Sequence, residues 1–356
     1  MPGGVVGYPA RNSLNLIRLL LASTVIFAHA FYVTGAGFGP VIHGDNLGGW
    51  AVYGFFGISG YLVTHSRLSH PLGEYLVHRL ARLMPAYWVC LLMMVLVFGP
   101  LGYLVEKGSL GAYWTTATHP LNYLFSNSTL RVSAYDIAGT PSTVPFAGVW
   151  NGSIWTLYYE FICYLVIAAF LTVPFVRRRA FWVIGLAWLA SASAYVLWDA
   201  GLSDVFGGNG ELAQLLKLLP LFLGGAVLRA AGDRIQFRFV GALVGAVILA
   251  AGILVLDRGA PQLAAPAVAY ALLWLGTWLP SARWVQRNDI SYGTYVYAFP
   301  AQQLLAVTGL GMSSVALHIL LAVAVTVPLA VGSWFLVERP VMRAVKRRPR
   351  GAPRPV

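Results

Sequence analysis

The sequence predicts an all-α polytopic membrane protein with about ten transmembrane helices. Hydrophobic residues make up 58% of its 356 residues and charged residues only 10%, whereas soluble domains carry about 25% charged residues. A bilayer-crossing helix needs about 20 mostly apolar residues, and runs of this kind recur along the chain. The predicted spans are 13–34, 48–66, 79–100, 153–174, 181–198, 211–229, 238–256, 262–280, 290–308 and 315–337.

Lysine and arginine positions predict how these spans are oriented. With the N-terminus in the cytoplasm, 20 of the 24 Lys and Arg residues fall on inner loops and helix ends. The outer side then holds only Lys107, Arg131, Lys217 and Arg258. Because cytoplasmic loops are enriched in Lys and Arg, we expect a multi-pass protein with both termini in the cytoplasm.

The net charge of +12 follows from the same asymmetry and predicts no nucleic-acid partner. Residues 1–340 are predicted to form one transmembrane domain, and residues 341–356 a basic, disordered cytoplasmic tail. The two cysteines, Cys90 and Cys163, lie inside apolar segments. They offer no disulfide framework and no metal-ligand spacing, so no metal is expected.

The first span, NSLNLIRLLLASTVIFAHAF (12–31), contains two residues that are costly in a bilayer, Arg18 and His29. They are eleven residues apart, so on a helix they differ by about 20° in direction and about 16 Å in height. Both therefore lie on one face, Arg18 near the inner end and His29 in the outer half. Alternatively, Arg18 extends to the cytoplasmic interface and His29 is a structural histidine bonded to a neighbouring helix.

The third span opens with HRLARLMPAYW (78–88), where Arg79 and Arg82 are three residues apart on one face at the inner membrane surface. Paired guanidinium groups suit a phosphate-rich ligand, because they form charge-assisted hydrogen bonds to phosphate oxygens. The alternative is that the pair only anchors the helix on its positive side.

The fourth span opens from outside with NGSIWTLYYEFICY (151–164). Glu160 lies about 10 Å below the start of this span, near the depth of His29, so it is a candidate to orient the imidazole of a general base. It alternatively serves as a structural partner for another polar group. Asn151, Ser153 and Trp155 are candidates for substrate binding at the outer opening, although Asn151 and Ser153 also suit helix capping.

The second span ends with GFFGISGYLVTHS (54–66), in which glycines recur every three residues. Small residues let membrane helices approach closely, so Gly54, Gly57 and Gly60 are predicted to be packing positions. Ser59 is a packing hydroxyl or lines the site. The long outer segment 101–152 is predicted to cover the outer mouth of the site, because long loops are often functional.

Together these motifs resemble the membrane-bound acyltransferase-3 family, bacterial enzymes that O-acylate surface carbohydrates and some secondary metabolites. The family's first span carries an arginine and a histidine with ten residues between them, as Arg18 and His29 stand here. Further matches are FFGISGYL, RLARLMPAYW, NGSIWTLYYEF, ISYGTYVYAFP and WFLVERPVMR, which cover nearly the whole chain.

The resemblance implies that His29 is the catalytic histidine and that Arg18, Arg79 and Arg82 bind acyl-CoA, with acetyl-CoA the expected donor. The acceptor would be a hydroxyl of a carbohydrate, glycolipid or secondary metabolite, and the location a bacterial cytoplasmic membrane with lipid as partner. Many members carry a histidine where this chain has Ala298. No extracytoplasmic hydrolase-like domain is expected.

Two mechanisms stay open at this point: His29 as general base for the attacking hydroxyl, or an acyl-histidine relay. Two other classes of protein also remain. A transporter or flippase would use the buried charges to line its path, although neither inverted repeats nor paired broken helices are evident. A structural scaffold would leave the intramembrane His29 and Glu160 unexplained.

Overall fold

The computed structural model describes residues 8–9 and 12–347, which are almost entirely helical. The α-helices are α1 (Leu14–Val33), α2 (Leu47–Ser69), α3 (Leu72–Met93), α4 (Gly99–Lys107), α5 (Pro120–Asn127), α6 (Thr156–Phe170), α7 (Pro174–Arg178), α8 (Ala180–Val196), α9 (Ser203–Val205), α10 (Gly210–Ala230), α11 (Phe239–Val255), α12 (Ala260–Leu263), α13 (Ala265–Trp278), α14 (Arg283–Arg287), α15 (Ser291–Val307), α16 (Val315–Ser333) and α17 (Arg339–Arg347). A two-stranded antiparallel sheet, β1 (Val41–Ile42) and β2 (Asp45–Asn46), separates α1 from α2.

Helices occupy all ten segments in which the sequence predicts a span. Within the described residues, four helical stretches are long and apolar enough to cross a bilayer by themselves: Leu14–Val33, Leu72–Lys107, Gly210–Ala230 and Val315–Lys346. Shorter apolar helices are Thr156–Phe170, Ala180–Val196, Phe239–Val255 and Ala265–Trp278. The protein is thus a helical, multi-pass membrane protein.

Two of the long stretches pass through π-helical turns rather than ending where the sequence suggests. Met94–Phe98 joins α3 to α4, and Trp334–Glu338 joins α16 to α17. A π-turn inserts an extra residue into a helix without ending it, and such turns are frequent at functional sites. The last helix therefore reaches Arg347, inside the predicted tail, and residues 348–356 lie outside the described residues.

The predicted span 262–280 is broken rather than continuous. Helix α12 ends at Leu263 and α13 begins at Ala265, and each carries a proline in its first turn, Pro261 and Pro266. Proline has no N–H to donate and clashes with the preceding turn, so Pro266 prevents the first short helix from running into the second.

Helices α2 and α10 approach until their backbones touch. A Cβ at Gly60 would lie 1.8 Å from the carbonyl oxygen of Phe222, and one at Gly225 would lie 1.9 Å from that of Gly57. Neither separation is sterically permitted. The glycines of FFGISGYL are therefore packing positions, as the sequence predicts, and they allow α2 and α10 to form the centre of the bundle.

Candidate active site

Helices α1 and α15 run side by side in the same direction, and α1 carries the two unusual residues of the first span, Arg18 and His29. Near the start of α1, Arg18 donates a hydrogen bond to Asp289, which lies just before α15. Farther out, the His29 ring meets the Phe299 ring of α15 at 5.0 Å. Both side chains thus face α15, which confirms that they share one face of α1.

One end of the bundle holds what we call the charged cluster: Arg18, Arg82, Asp289 and Glu338. Arg82 donates to Asp289 Oδ2 at 2.6 Å and to Glu338 Oε2 at 3.1 Å. Ser333 donates to the other oxygen of Glu338 at 3.1 Å. Two cations and two carboxylates balance one another, as buried charges require.

Asp289 and Glu338 were not identified from the sequence. Burial raises the pKa of the Asp289 carboxyl, but the Arg18 and Arg82 guanidinium groups and Ser291 outweigh burial and lower it to about 2. Asp289 is therefore an anion at neutral pH. The available signal was a lone carboxylate within each of the segments NDISYGTY and LVERP, since an acidic residue beside apolar sequence needs a cationic partner.

Arg79 differs from the other two arginines in having no carboxylate partner among the described residues. Its guanidinium carbon lies 5.9 Å from the centroid of the Tyr164 ring. Its Nε is buried and has no hydrogen-bond partner within residues 12–347. A buried donor of this kind calls for a water or a ligand.

Glu160 accepts hydrogen bonds from Ser59 and Tyr164, each at 2.7 Å. It lines a cavity of about 40 Å³ that Arg18 and Tyr295 also line, between α1, α2, α6 and α15. The structure therefore brings Glu160, Ser59 and Arg18 to one cavity. This space has room for a few water molecules.

His29 lies apart from that group, and its environment is aromatic. Its ring meets Phe299 and, at 5.3 Å, Tyr32. Its Nδ1 is buried, with no hydrogen-bond partner anywhere in the described part of the chain. The expected pairing of His29 with Glu160 is not formed, because residues at equal depth on two helices meet only if both also point toward each other.

The segment that leads into α6 is tied to α15 by its polar groups. Asn151 donates to the carbonyl oxygen of Val296 at 2.9 Å, and Tyr295 donates to that of Ser153 at 2.9 Å. Because α6 begins at Thr156 without a side-chain cap, neither Asn151 nor Ser153 caps it. The Ser153 hydroxyl is buried without a partner in the described chain.

Trp155 does not join these groups around α15. Its ring packs against Tyr159 at 5.7 Å, within the cluster that α6 forms with α2 and α10. The three residues expected to bind substrate thus separate into an anchor (Asn151), an unpaired hydroxyl (Ser153) and a packing residue (Trp155).

The segment 101–152 covers His29 on the side away from the charged cluster. Phe146 packs on Tyr32 at 5.1 Å and on Phe299 at 5.8 Å, the two rings that contact His29. Gln303 of α15 donates to the carbonyl oxygens of Phe146 and Val149, each at 2.7 Å. We call Tyr32, Phe146 and Phe299 the aromatic cover.

Two further buried polar residues near α1 were not identified from the sequence. Gln302 donates to the carbonyl oxygen of Ile26 at 2.8 Å, one turn before His29, and its own oxygen has no partner in the described chain. Both ring nitrogens of His318 on α16 are likewise buried and unpaired there. Ala298 is fully buried among apolar residues and supplies no polar group.

The sequence of this chain is similar to those of known proteins. The family described as "Acyltransferase domain" (Acyl_transf_3) matches residues 11–336. The chain is 26% identical over 348 residues to the O-acetyl transferase of Shigella phage Sf6, covering 92% of this chain and 95% of that protein. It is 28% identical over 369 residues to Nodulation protein 10 of Rhizobium leguminosarum bv. viciae, covering 94% of each.

No solved structure matches the chain. The family match nevertheless spans nearly the whole molecule, from the start of α1 through α16 into the π-turn that follows it. It includes the arginine–histidine pair of α1, the arginines of α3 and the segment that opens α15. The chain therefore belongs to the acyltransferase-3 family and is an acyltransferase.

Proposed function

We propose that this protein is a membrane O-acyltransferase that moves an acyl group, by preference acetyl, from cytoplasmic acyl-CoA to a hydroxyl of an acceptor reached from outside. One observation carries the proposal: helix α1 presents Arg18 to the inner charged cluster and His29 to an enclosed aromatic site farther out. Helix α1 thus carries a side chain suited to anion binding, Arg18, near its start and a side chain suited to accept a proton, His29, near its end.

On the donor side, Arg79 is the principal contact for the phosphates of acyl-CoA. Its buried Nε lacks a partner in the described chain, and a guanidinium offers a planar set of donors that match phosphate oxygens. Arg18 and Arg82, which Asp289 and Glu338 hold in place, add positive potential beside it. The residues present therefore fit a phosphate-bearing donor substrate.

His29 acts as the general base. Neutral imidazole accepts the proton of the acceptor hydroxyl while that oxygen attacks the thioester carbonyl, and the proton then passes to the departing thiolate of CoA. General-base assistance is typically worth about 10²–10⁴-fold in rate. The aromatic cover excludes water from the site, which disfavours hydrolysis of the thioester.

We place Glu160 between the donor and the general base, in contact with the cavity and not with the imidazole of His29. Its carboxylate lines the same cavity as Arg18 and Tyr295, and Ser59 and Tyr164 hold it in place. We assign it the role of a fixed anion that orders water and the Arg18 side chain along this path.

The proposed acceptor is a carbohydrate or glycolipid. The outer segment carries a second cavity of about 370 Å³, lined by polar and aromatic side chains that include His119, Asn122, Tyr135 and Asp136. Hydroxyl-rich ligands suit such a lining, because each polar group offers them a hydrogen bond. The relative from Shigella phage Sf6 carries the name O-acetyl transferase, which supports acetyl as the transferred group.

The proposed topology has ten spans, with both termini in the cytoplasm of a bacterial inner membrane and residues 1–340 as one domain. Ion pairs support it. Arg131 pairs with Glu211 at 2.6 Å, and Lys217 pairs with Asp45 at 2.6 Å, so these groups of the proposed outer side lie together. The charged cluster joins four groups of the proposed inner side.

The test is acetyl transfer by purified full-length protein, measured as free CoA thiol released in the presence and absence of an oligosaccharide acceptor. We expect thiol release that depends on the acceptor. His29→Ala should insert and bind acetyl-CoA but lose about 10²–10⁴-fold in turnover. Ser23→Ala is the matched control, because Ser23 lies on α1 and bonds only to the Leu19 carbonyl oxygen.

Near-normal turnover by well-folded His29→Ala protein would contradict the role of His29. Wild-type protein that moves an acceptor across liposomes without releasing thiol would instead favour a transporter. Thiol release with no acylated product would contradict transfer to a hydroxyl. Mass spectrometry of the acceptor distinguishes that last outcome, since an acetyl ester adds a defined mass.

A further inference from the structure

A compact group of ligand-type side chains lies where α2 meets α3, away from the site described above. His70 follows the last residue of α2, and Glu74 and His78 lie in the first two turns of α3. Glu74 and His78 are four residues apart on one face of α3, and His70, in the extended turn before the helix, lies beside Glu74. Among the described residues, this group is the one whose His, Cys, Asp or Glu atoms have the arrangement of a metal site.

The three ligand atoms converge on one point. The Glu74 Oε1 atom lies 3.8 Å from His70 Nε2 and 4.0 Å from His78 Nε2, and all the ligand atoms lie within 4.8 Å of one another. Two ligands of a tetrahedral zinc ion lie about 3.3 Å apart. The side chains are 17–39% exposed, so small rotations suffice to close the remaining gap.

The tautomer of His70 is already the one a metal needs. The carbonyl oxygen of Ser66 lies 2.8 Å from His70 Nδ1. Because a carbonyl only accepts, His70 Nδ1 carries the proton and Nε2 presents its lone pair toward Glu74. Histidine ligands of metals usually donate their other ring N–H to a carbonyl or carboxylate in this manner.

We propose that His70, Glu74 and His78 form a binding site for a divalent transition-metal ion of the zinc class. Two imidazoles and one carboxylate suit zinc, nickel or cobalt better than magnesium or calcium, which prefer all-oxygen sites. Three protein ligands leave a fourth position for water. The spacing of the two cysteines predicts no metal site, whereas the ligands of this group are two histidines and a glutamate.

The bound ion stabilises the corner between α2 and α3. Arg67 already holds this corner by donating to the carbonyl oxygen of His70 at 3.1 Å. A metal bridge from His70 to His78 adds a second link across two turns of α3. His78 directly precedes Arg79, so the ion also fixes the helical turn that presents Arg79. This inference does not depend on acyl transfer, since it concerns metal binding alone.

The experiment is a zinc titration of full-length protein that lacks any histidine tag and has been stripped with a chelator, followed by calorimetry. Wild-type protein should bind one Zn²⁺, and its melting temperature should rise on binding, because an ion that binds only the folded state stabilises it. His78→Ala and Glu74→Gln should each weaken binding by at least about tenfold. His65→Ala is the matched control, because His65 lies on α2 near the same corner and pairs with Arg229 instead.

Glu74→Gln preserves the shape of the side chain, so a change in its zinc affinity cannot be attributed to misfolding. Co²⁺ in place of Zn²⁺ gives a second readout, a visible absorption band that wild type and His65→Ala should show and His78→Ala should lose. Wild-type protein that binds no zinc, or zinc affinity equal in wild type, His78→Ala and Glu74→Gln, would overturn the proposal.

Discussion

Arg18 and Arg82 share one carboxylate, that of Asp289. The three arginines of the site therefore differ in how their charges are paired. The cation charge of Arg18 and of Arg82 is already balanced inside the charged cluster. Arg79, three residues before Arg82, lies over the Tyr164 ring and pairs with no carboxylate in the described part of the chain. In the proposed donor site, Arg79 is therefore the arginine available to pair with a phosphate, and Arg18 and Arg82 are held by carboxylates.

Arg79→Ala is expected to weaken binding of acetyl-CoA by about 10–100-fold, because a hydrogen bond to a charged group is worth about 1.5–3 kcal/mol. Arg79→Lys should restore only part of that affinity, since an ammonium lacks the planar donor set. Calorimetry with a non-hydrolysable CoA analogue measures the donor affinity of each variant. Arg178→Ala, which removes an exposed arginine of α7, is the control, and equal affinity in all variants would leave Arg79 without a donor role.

Arg82→Ala is expected to destabilise the fold as well as weaken donor binding. It leaves Glu338, whose side chain is 1% exposed, without its cation, and breaking a buried pair costs about 3–5 kcal/mol. The double variant Arg82→Met/Glu338→Gln should recover much of this loss, because no buried charge is then left unpaired at Glu338. Thermal unfolding in detergent measures the stability of the single and double variants. A double variant whose loss of stability equals the sum of the losses of the two single variants would contradict the coupling between Arg82 and Glu338.

The sequence identified the cations of the site but not their partners. The spacing of Arg18 and His29 is a property of one helix, so helix geometry alone placed them on a common face. The partner of Arg18 is Asp289, 271 residues away, and only the packing of α1 beside α15 brings them together. The same reasoning explains why the depth of Glu160 was no guide to its neighbours.

At the scale of elements, the contact of α2 with α10 depends on the absence of single methyl groups. Gly60→Ala would place a Cβ 1.8 Å from the Phe222 carbonyl oxygen, so the helices must separate. We expect a large loss of thermal stability or of folded protein in the membrane. Gly185→Ala on α8 is the control, because nothing lies within 4 Å of its added Cβ, and similar behaviour of the two variants would contradict the close packing.

Hydropathy predicted where helices occur better than where they end. A helix occurs in every segment that hydropathy predicts as a span, because a long apolar run has few alternatives in a bilayer. Hydropathy did not foresee that α3 and α16 continue through π-turns, since one inserted residue leaves hydropathy unchanged. The break between α12 and α13 was readable in principle from Pro266.

At the scale of the whole molecule, the outer ion pairs and the inner charged cluster predict opposite faces. Arg131→Cys should react with a membrane-impermeant thiol reagent added to intact cells, whereas Arg343→Cys should react only after the membrane has been opened. Both positions are exposed, and the native Cys90 and Cys163 are fully buried, so background labelling should be low. Labelling of both positions from the same side would contradict the ten-span topology.

The aromatic cover has an electrical consequence. An enzyme that joins a cytoplasmic donor to an outer acceptor bridges two compartments between which the cell maintains a proton gradient. In the proposed topology, the three packed rings of the aromatic cover lie on the path between those compartments, and we expect them to limit proton flow along it. We therefore expect proteoliposomes with wild-type protein to hold a pH gradient, and Phe146→Ala to dissipate it faster. A rate of proton leakage equal to that of wild type would mean that other residues block proton flow. A faster rate would mean that the Phe146 ring, proposed to keep water from the thioester, also limits proton flow across the membrane.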